Sequence, residues 1–129
     1  QKLDESTNMQ RAQNLKAQML NLQLFVAVRK FKTQDGVTSI LLDHLNWVIE
    51  LEEKGIVFAA GPILDEDQKP TVGGMLIIRA ENLSEARRSV FEDPFAKADL
   101  IDIEVFEWRL AEGSMKIDVS LSKTSLSIS

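Results

Sequence analysis

The sequence contains no cysteine, and this absence excludes two kinds of small protein. Disulfide-stabilised scaffolds need several cysteine pairs, so the chain does not belong to that class. A zinc site with thiolate ligands is excluded as well, and the single histidine leaves only carboxylates to complete any other metal site. We therefore predict no metal centre, and no motif in the sequence indicates an organic cofactor.

Concentrated positive charge and long apolar runs are also missing. The chain carries 15 Lys and Arg against 20 Asp and Glu, its net charge is −5, and no stretch is rich in basic residues. Nucleic acid is therefore not an expected partner, because phosphate binding needs concentrated positive charge. A membrane is not an expected partner either, because no apolar run approaches the ~20 residues of a spanning helix.

Length and hydrophobic content predict a single domain. A chain of 129 residues with 44% hydrophobic residues can bury one core but is too short for two ordinary domains. The first residue is Gln1 instead of methionine, so a removed signal peptide or transit peptide is compatible with the sequence. The lack of cysteine slightly favours the cytoplasm and leaves an exported or organellar location open.

The chain divides into three zones, of which the central one, residues 23–111, is the domain. Residues 1–22 are mostly polar and are interpreted as an extension or a surface helix. Thr7 and Gln10 have the spacing of a capping box, which typically begins a helix.

The third zone, residues 112–129, is a tail rich in serine and lysine. Between Met115 and Leu121, apolar residues alternate with polar ones, which is the pattern of a strand with one buried face. We predict that this segment adds an extra strand to an edge of the sheet, within its own subunit or across the dimer. From Ser122 onward the tail is expected to be loose, since its apolar residues are sparse.

Within the domain, the predicted order of elements is strand, helix, strand, strand, helix, strand. The predicted strands are residues 23–30, 56–60, 74–80 and 101–110, and the predicted helices begin near Ser39 and Leu83. Gly61 and Pro62 are expected to end the second strand. This order is the ferredoxin-like βαββαβ pattern, an α+β fold with a four-stranded antiparallel sheet.

The third and fourth predicted strands are apolar on both faces. Met75 and Ile77 lie on one face of the third strand, and the neighbouring Leu76 and Ile78 lie on the other. Two helices cover only one face of such a sheet, so a monomer would leave the other apolar face in water. The sequence therefore predicts a homodimer in which a second copy packs on that face.

Four short motifs follow one another along the domain. They are His44-Leu45, Ala60-Gly61-Pro62, Gly73-Gly74-Met75-Leu76-Ile77 and Asp93-Pro94-Phe95. In this order and spacing they resemble the YCII-related domain family over about residues 23–110. One departure is Leu41, because many members of the family carry a basic residue at that position.

The resemblance implies a dimeric ferredoxin-like α/β barrel with a cleft for a small molecule. It implies a His-Asp pair in the cleft, matching His44 and Asp93. Gly61, Pro62 and Phe95 are the candidate substrate-binding residues, since the backbone of Gly61 and Pro62 could line a cleft close to a ligand. The implied function is that of a cofactor-free lyase or isomerase, similar to a dehydrochlorinase or a lactone isomerase. Such an enzyme would transfer a proton on a small organic acid or phenol.

Each half of the His-Asp pair also has a purely structural interpretation. His44 lies within an apolar helical stripe, so it is either a proton shuttle or a core histidine with a satisfied hydrogen bond. Asp93 precedes a proline, which is a common helix start, and its carboxylate can cap that helix while orienting an imidazole. The spacing along the sequence does not show whether the two side chains meet.

Two classes of function therefore stay open: an enzyme, and a non-catalytic module that binds a small molecule or serves as a dimeric interaction unit. The enzyme requires the two side chains within hydrogen-bond reach, beside a pocket of a few hundred Å³. A histidine sealed in the core would favour the non-catalytic module.

Overall fold

The structure is a computed structural model that describes the backbone of residues 2–129 and the side chains from Asp4 onward. Along the described residues, the elements are α1 (Lys2–Gln18), β1 (Leu22–Phe31), α2 (Val37–Glu53), β2 (Val57–Ile63), β3 (Gly73–Ile78), α3 (Leu83–Val90), α4 (Pro94–Lys97), β4 (Ile101–Leu110), β5 (Ile117–Ser120) and β6 (Ser125–Ile128). The chain divides into two compact units. Residues 23–109 form one, and the two terminal segments form the other.

The first unit is built on a four-stranded sheet with the strand order β2-β3-β1-β4. Strand β3 is antiparallel to both of its neighbours, and on β1 the register pairs Ala27 with Leu76 and Arg29 with Gly74. With α2 between β1 and β2, and α3 and α4 between β3 and β4, this is the ferredoxin-like βαββαβ arrangement. The predicted α+β fold with an antiparallel sheet is confirmed.

The helices begin and end where local chemistry favours it. Helix α2 follows Gly36, whose φ is 84°, and Gly55, with φ 75°, closes the chain behind it, a conformation that costs glycine least. Helix α3 begins at the cap residue Asn82, whose side chain accepts a hydrogen bond from the Glu85 N–H at 2.8 Å. The expected start of this helix is therefore present in the structure.

The core lies on the face of the sheet that carries the helices. Its buried members are Phe25, Ala27, Leu76, Ile78, Ala86, Val90 and Val105. The opposite face exposes large apolar side chains, with Met75 at 41%, Phe106 at 52% and Trp108 at 40% of their surface. Together with Val26 they line a shallow groove on that face.

Strand β2 does not end where the sequence predicted. Gly61 and Pro62 lie inside it, and Pro62 pairs with Gly74 of β3. The prediction was wrong because β2 is an edge strand of the sheet. An edge strand has one row of backbone groups without ladder partners, so the missing N–H of a proline is tolerated there.

The terminal segments also differ from two predictions. Helix α1 is already formed before Thr7, so the spacing of Thr7 and Gln10 does not mark its start. Within the subunit, strand β5 pairs with β6 in a separate two-stranded sheet, instead of adding to the edge of the main sheet.

The segment expected to be loose therefore supplies a strand. The hairpin forms because Leu126 and Ile128 alternate in the same way as Val119 and Ile117, which they face across the pair. A connection as short as residues 121–124 also makes local closure cheap in chain entropy.

The exposed apolar face of the main sheet leads to a first prediction. We expect sedimentation velocity at micromolar concentration to give roughly twice the 14.5 kDa mass of one chain. Phe106→Asp should shift the protein toward the monomer, because it places an unpaired charge on that face. Leu42→Asp is the matched control, since Leu42 is a 68% exposed apolar residue of α2. A wild-type protein that sediments as a monomer would contradict the prediction.

Candidate active site

Three polar side chains meet inside the first unit, each supplied by a different element. Arg29 lies on the face of β1 that also carries Phe25 and Ala27, so its side chain points among the helices. His44 is the buried residue of α2, and Asp93 is the residue that precedes α4. Their relative exposures are 6%, 8% and 0%, so all three are shielded from bulk water.

Asp93 is held in place by the start of its own helix. Pro94 occupies the first turn of α4, and the Asp93 Oδ1 accepts a hydrogen bond from the Phe95 N–H at 2.9 Å. This is an N-cap with proline at a favoured position, as the sequence suggested. The cap fixes the direction of the carboxylate.

His44 and Asp93 are in direct contact. The His44 Nδ1 lies 2.8 Å from the Asp93 Oδ1, at hydrogen-bond distance. An ionised carboxylate can only accept, so the imidazole must carry a proton on Nδ1. In the neutral ring the lone pair is then on Nε2, the nitrogen that Asp93 does not contact.

Arg29 joins the pair from the sheet and was missed by the sequence analysis. Its Nη1 donates to the Asp93 Oδ2 at 2.8 Å and lies 3.5 Å from the His44 Nε2. The sequence did contain an indication of Arg29: this charged residue follows the apolar Phe25 and Ala27 on the inward face of β1. A charge at such a position indicates a buried partner of opposite sign.

The surroundings of Asp93 keep its carboxyl ionised. Burial on its own would raise the pKa of Asp93, because it disfavours the charged form. The hydrogen bond and charge of His44, the Phe95 N–H and the charge of Arg29 outweigh burial and lower the pKa below its ordinary value. Asp93 is therefore an anion at neutral pH.

A cavity of about 430 Å³ opens beside the pair. His44 and Arg29 are the polar side chains in its wall, and the rest of the wall is apolar or glycine. Gly61, Pro62 and Phe95, the residues predicted to bind substrate, all line it, whereas Asp93 lies behind His44. The Phe95 ring stacks on the His44 imidazole with 4.4 Å between centroids.

Two other kinds of site are absent from the described residues. No three His, Asp or Glu side chains there are grouped as a metal ion would require. None of the helices in this part of the chain has the length and apolar character needed to cross a membrane.

The fold and the site together define a class, the ferredoxin-like domains with a His-Asp pair beside a small cavity. A model of the YCII-related domain matches residues 23–109, which is more than half of the chain. The chain belongs to the YCII-related domain family. The expected family is thereby confirmed.

A solved enzyme structure is also similar. It is the 5-chloro-2-hydroxyhydroquinone dehydrochlorinase from Burkholderia phenoliruptrix AC1100 in complex with 2,5-dihydroxybenzoquinone. The two chains are 28% identical with a TM-score of 0.52, and the similarity covers 66% of this chain and 92% of that one. No curated protein matches the chain.

The lowered pKa of Asp93 predicts how stability depends on pH. A carboxyl with a lower pKa in the folded state stabilises the fold above its unfolded pKa, about 3.9, and loses this contribution as pH falls through the folded pKa. Asp93→Asn should therefore cost about 3 kcal/mol or more of unfolding free energy at pH 7, since Arg29 loses its counter-ion. The difference from wild type should shrink below about pH 4.

Urea denaturation between pH 7 and pH 2 measures this difference directly. Asp43→Asn is the matched control, because Asp43 is an exposed carboxylate of the same helix as His44. Its effect should be within about 0.5 kcal/mol at every pH. An Asp93→Asn difference that stays constant over the whole range would show that ionised Asp93 does not stabilise the fold.

Proposed function

We propose that the chain is a cofactor-free enzyme that transfers a proton on a small organic acid or phenol, as a lyase or an isomerase does. The observation that carries the proposal is the contact between the His44 Nδ1 and the Asp93 Oδ1, at 2.8 Å, beside the cavity. It leaves Nε2 as the proton-accepting atom on a side chain that lines this space.

The two residues of the pair have different roles, one as a base and the other as a positioning group. His44 accepts the proton, and Asp93 fixes the tautomer and stabilises the imidazolium that forms. Asp93 is suited to this because its own position is fixed by the Phe95 N–H and by Arg29. The stacked ring of Phe95 holds the plane of the imidazole.

The chemistry that such a base supports begins with a carbon acid next to a carbonyl, or with the hydroxyl of its enol. His44 Nε2 removes the proton, and the electron pair of the broken bond is left on the substrate as an enolate or phenolate. In an isomerase, the His44 imidazolium returns this proton to another carbon. In a lyase, the pair expels a leaving group such as chloride from an adjacent sp³ carbon, and the His44 proton passes to water, so that one equivalent of acid is lost overall.

The similar dehydrochlorinase supports the lyase form of this proposal. Its name describes the loss of hydrogen chloride from a chlorinated hydroxyhydroquinone, and its bound ligand is a six-membered ring with hydroxyl and carbonyl oxygens. The cavity of about 430 Å³ is within the range of small-molecule pockets and large enough for such a ring. The backbone of Gly61 and Pro62 would form one wall.

The variant His44→Asn tests the proposal. Asparagine retains a side-chain N–H that can donate to Asp93, so the fold should be nearly unchanged, but it has no proton-accepting nitrogen. With 5-chloro-2-hydroxyhydroquinone as substrate, we expect the wild type to release chloride and the variant to be slower by about 10²–10⁴-fold. Chloride release beside a thermal melt measures both quantities.

Asp43→Asn serves again as the control on the same helix and should leave turnover unchanged. Equal chloride release by wild type and His44→Asn would contradict a catalytic role for His44. A large loss of stability in His44→Asn with unchanged ligand binding would identify it as a core residue and favour the non-catalytic module.

A further inference from the structure

The guanidinium of Arg29 is only partly used by its neighbours. Its Nη1 makes the contacts with both neighbours, the Asp93 Oδ2 and the His44 Nε2. Among the described residues, Nη2 makes no hydrogen bond, and the buried Nε has no partner either. The edge formed by Nε and Nη2 is therefore left without an acceptor.

An unpaired edge of this kind is unusual in a buried residue. Arg29 is 6% exposed, and a buried donor without an acceptor loses its hydration without compensation. The pair with Asp93 explains why the charge is tolerated, but it engages only one of the guanidinium nitrogens. Nε is itself buried, so Nη2 is the nitrogen of this edge that remains to donate to an anionic oxygen.

The side chain also lies in the wall of the cavity. Arg29 and His44 are its polar lining side chains, and apolar groups such as Val48, Leu45 and Ile101 form the rest of the surface. Gly74 leaves room for the guanidinium itself, because a Cβ at that position would lie 2.7 Å from Nη2. A ligand that fills this cavity therefore meets one fixed cation in an otherwise apolar enclosure.

We propose that Arg29 is the anion-binding residue of this cavity, and that it selects small ring compounds carrying an ionised oxygen, such as a phenolate, an enolate or a carboxylate. The inference rests on the proposed function and names the substrate class of the same site. The apolar wall takes the ring, and the guanidinium takes the oxygen.

The position of Arg29 also relates binding to proton transfer. Both side chains line the same cavity, so a ring whose oxygen is held by the guanidinium lies in the space that His44 also faces. Negative charge that develops on that oxygen when His44 removes a proton is stabilised by the same guanidinium. Asp93 holds both side chains, since Oδ1 contacts His44 and Oδ2 contacts Arg29.

Calorimetric titration with 2,5-dihydroxybenzoquinone tests the inference. Each hydroxyl of this compound is conjugated to a carbonyl as in a carboxylic acid, so the ring is an anion at neutral pH. Its neutral counterpart is 2,5-dimethylbenzoquinone, which replaces both hydroxyls by methyl groups of similar size. We expect wild type to bind the anion at least about tenfold more tightly than the neutral ring.

The variants separate the charge of Arg29 from the stability of the buried pair. Arg29→Met alone would leave Asp93 unpaired, so the test uses Arg29→Met combined with Asp93→Asn, which removes both charges. We expect this double variant to lose at least about tenfold in affinity for the anion. Asp93→Asn alone keeps the guanidinium, so the double variant should also bind the anion less tightly than Asp93→Asn does.

Lys30→Met is the matched control, because Lys30 is the exposed neighbour of Arg29 on β1 and the change removes the same charge. It should leave the affinity unchanged. The inference is overturned if the double variant binds the anion as tightly as wild type, or if wild type shows no binding up to about 10 mM. Thermal melts identify a variant that fails to fold, and the comparison of the double variant with wild type does not need Asp93→Asn to be folded.

The inference and the proposed function fail in different ways. If turnover depends on His44 but the affinity for the anion does not change when Arg29 is replaced, the inference alone is overturned. Anion binding that depends on Arg29, without turnover of any ring substrate, would overturn the enzymatic function and leave Arg29 as the anion-binding residue.

Discussion

The carboxylate of Asp93 is the group on which the arrangement of the site depends. It is fully buried, and a buried charge is strongly unfavourable unless each of its oxygens finds a partner. Its partners come from three elements: the Phe95 N–H of α4, His44 of α2 and Arg29 of β1. Displacement of any one element would remove one of these three partners, so the requirement fixes sheet and helices relative to one another at this point.

The same requirement gives the cavity its chemical character. Asp93 lies behind the wall of the cavity. Its two side-chain partners, the His44 imidazole and the Arg29 guanidinium, are the polar groups that line the cavity. An imidazole and a guanidinium lie side by side in an apolar enclosure. Their hydrogen bonds and charge interactions with a ligand would be stronger there than in water, because the local dielectric constant is low. The bonds that hold Asp93 in the fold are therefore the same ones that, in the proposed function, position His44 and Arg29.

Most of the fold was predictable from the sequence because it depends on local patterns. Apolar runs and helical stripes define the strands and helices, and Gly55 and Asn82 mark helix ends through backbone preferences that need no tertiary partner. The end of β2 was not predictable in this way. Pro62 is acceptable in a strand only because β2 lies at the edge, and the position of a strand in a sheet is a property of the whole fold.

The site was predictable only in part, for a related reason. The motifs around His44 and Asp93 indicated both residues, but 49 positions separate them, and only the packing of α2 against α4 brings them into contact. Arg29 belongs to no motif, and its inward direction follows from the alternation of β1 once the buried face is known. The tail hairpin was missed because Leu126 and Ile128 have significance only when paired with β5.

The proline in β2 has a consequence for the protein in solution. Strand β2 forms an open edge of the sheet and also a wall of the cavity, so a foreign strand that paired there would distort that wall. Exposed edges are templates for such pairing, and natural sheets discourage it by interrupting the row of donors. Pro62 supplies no N–H, and a β-bulge near Val57 disturbs the other end of the strand. The edge is thereby protected against aggregation beside the surface that a ligand must reach.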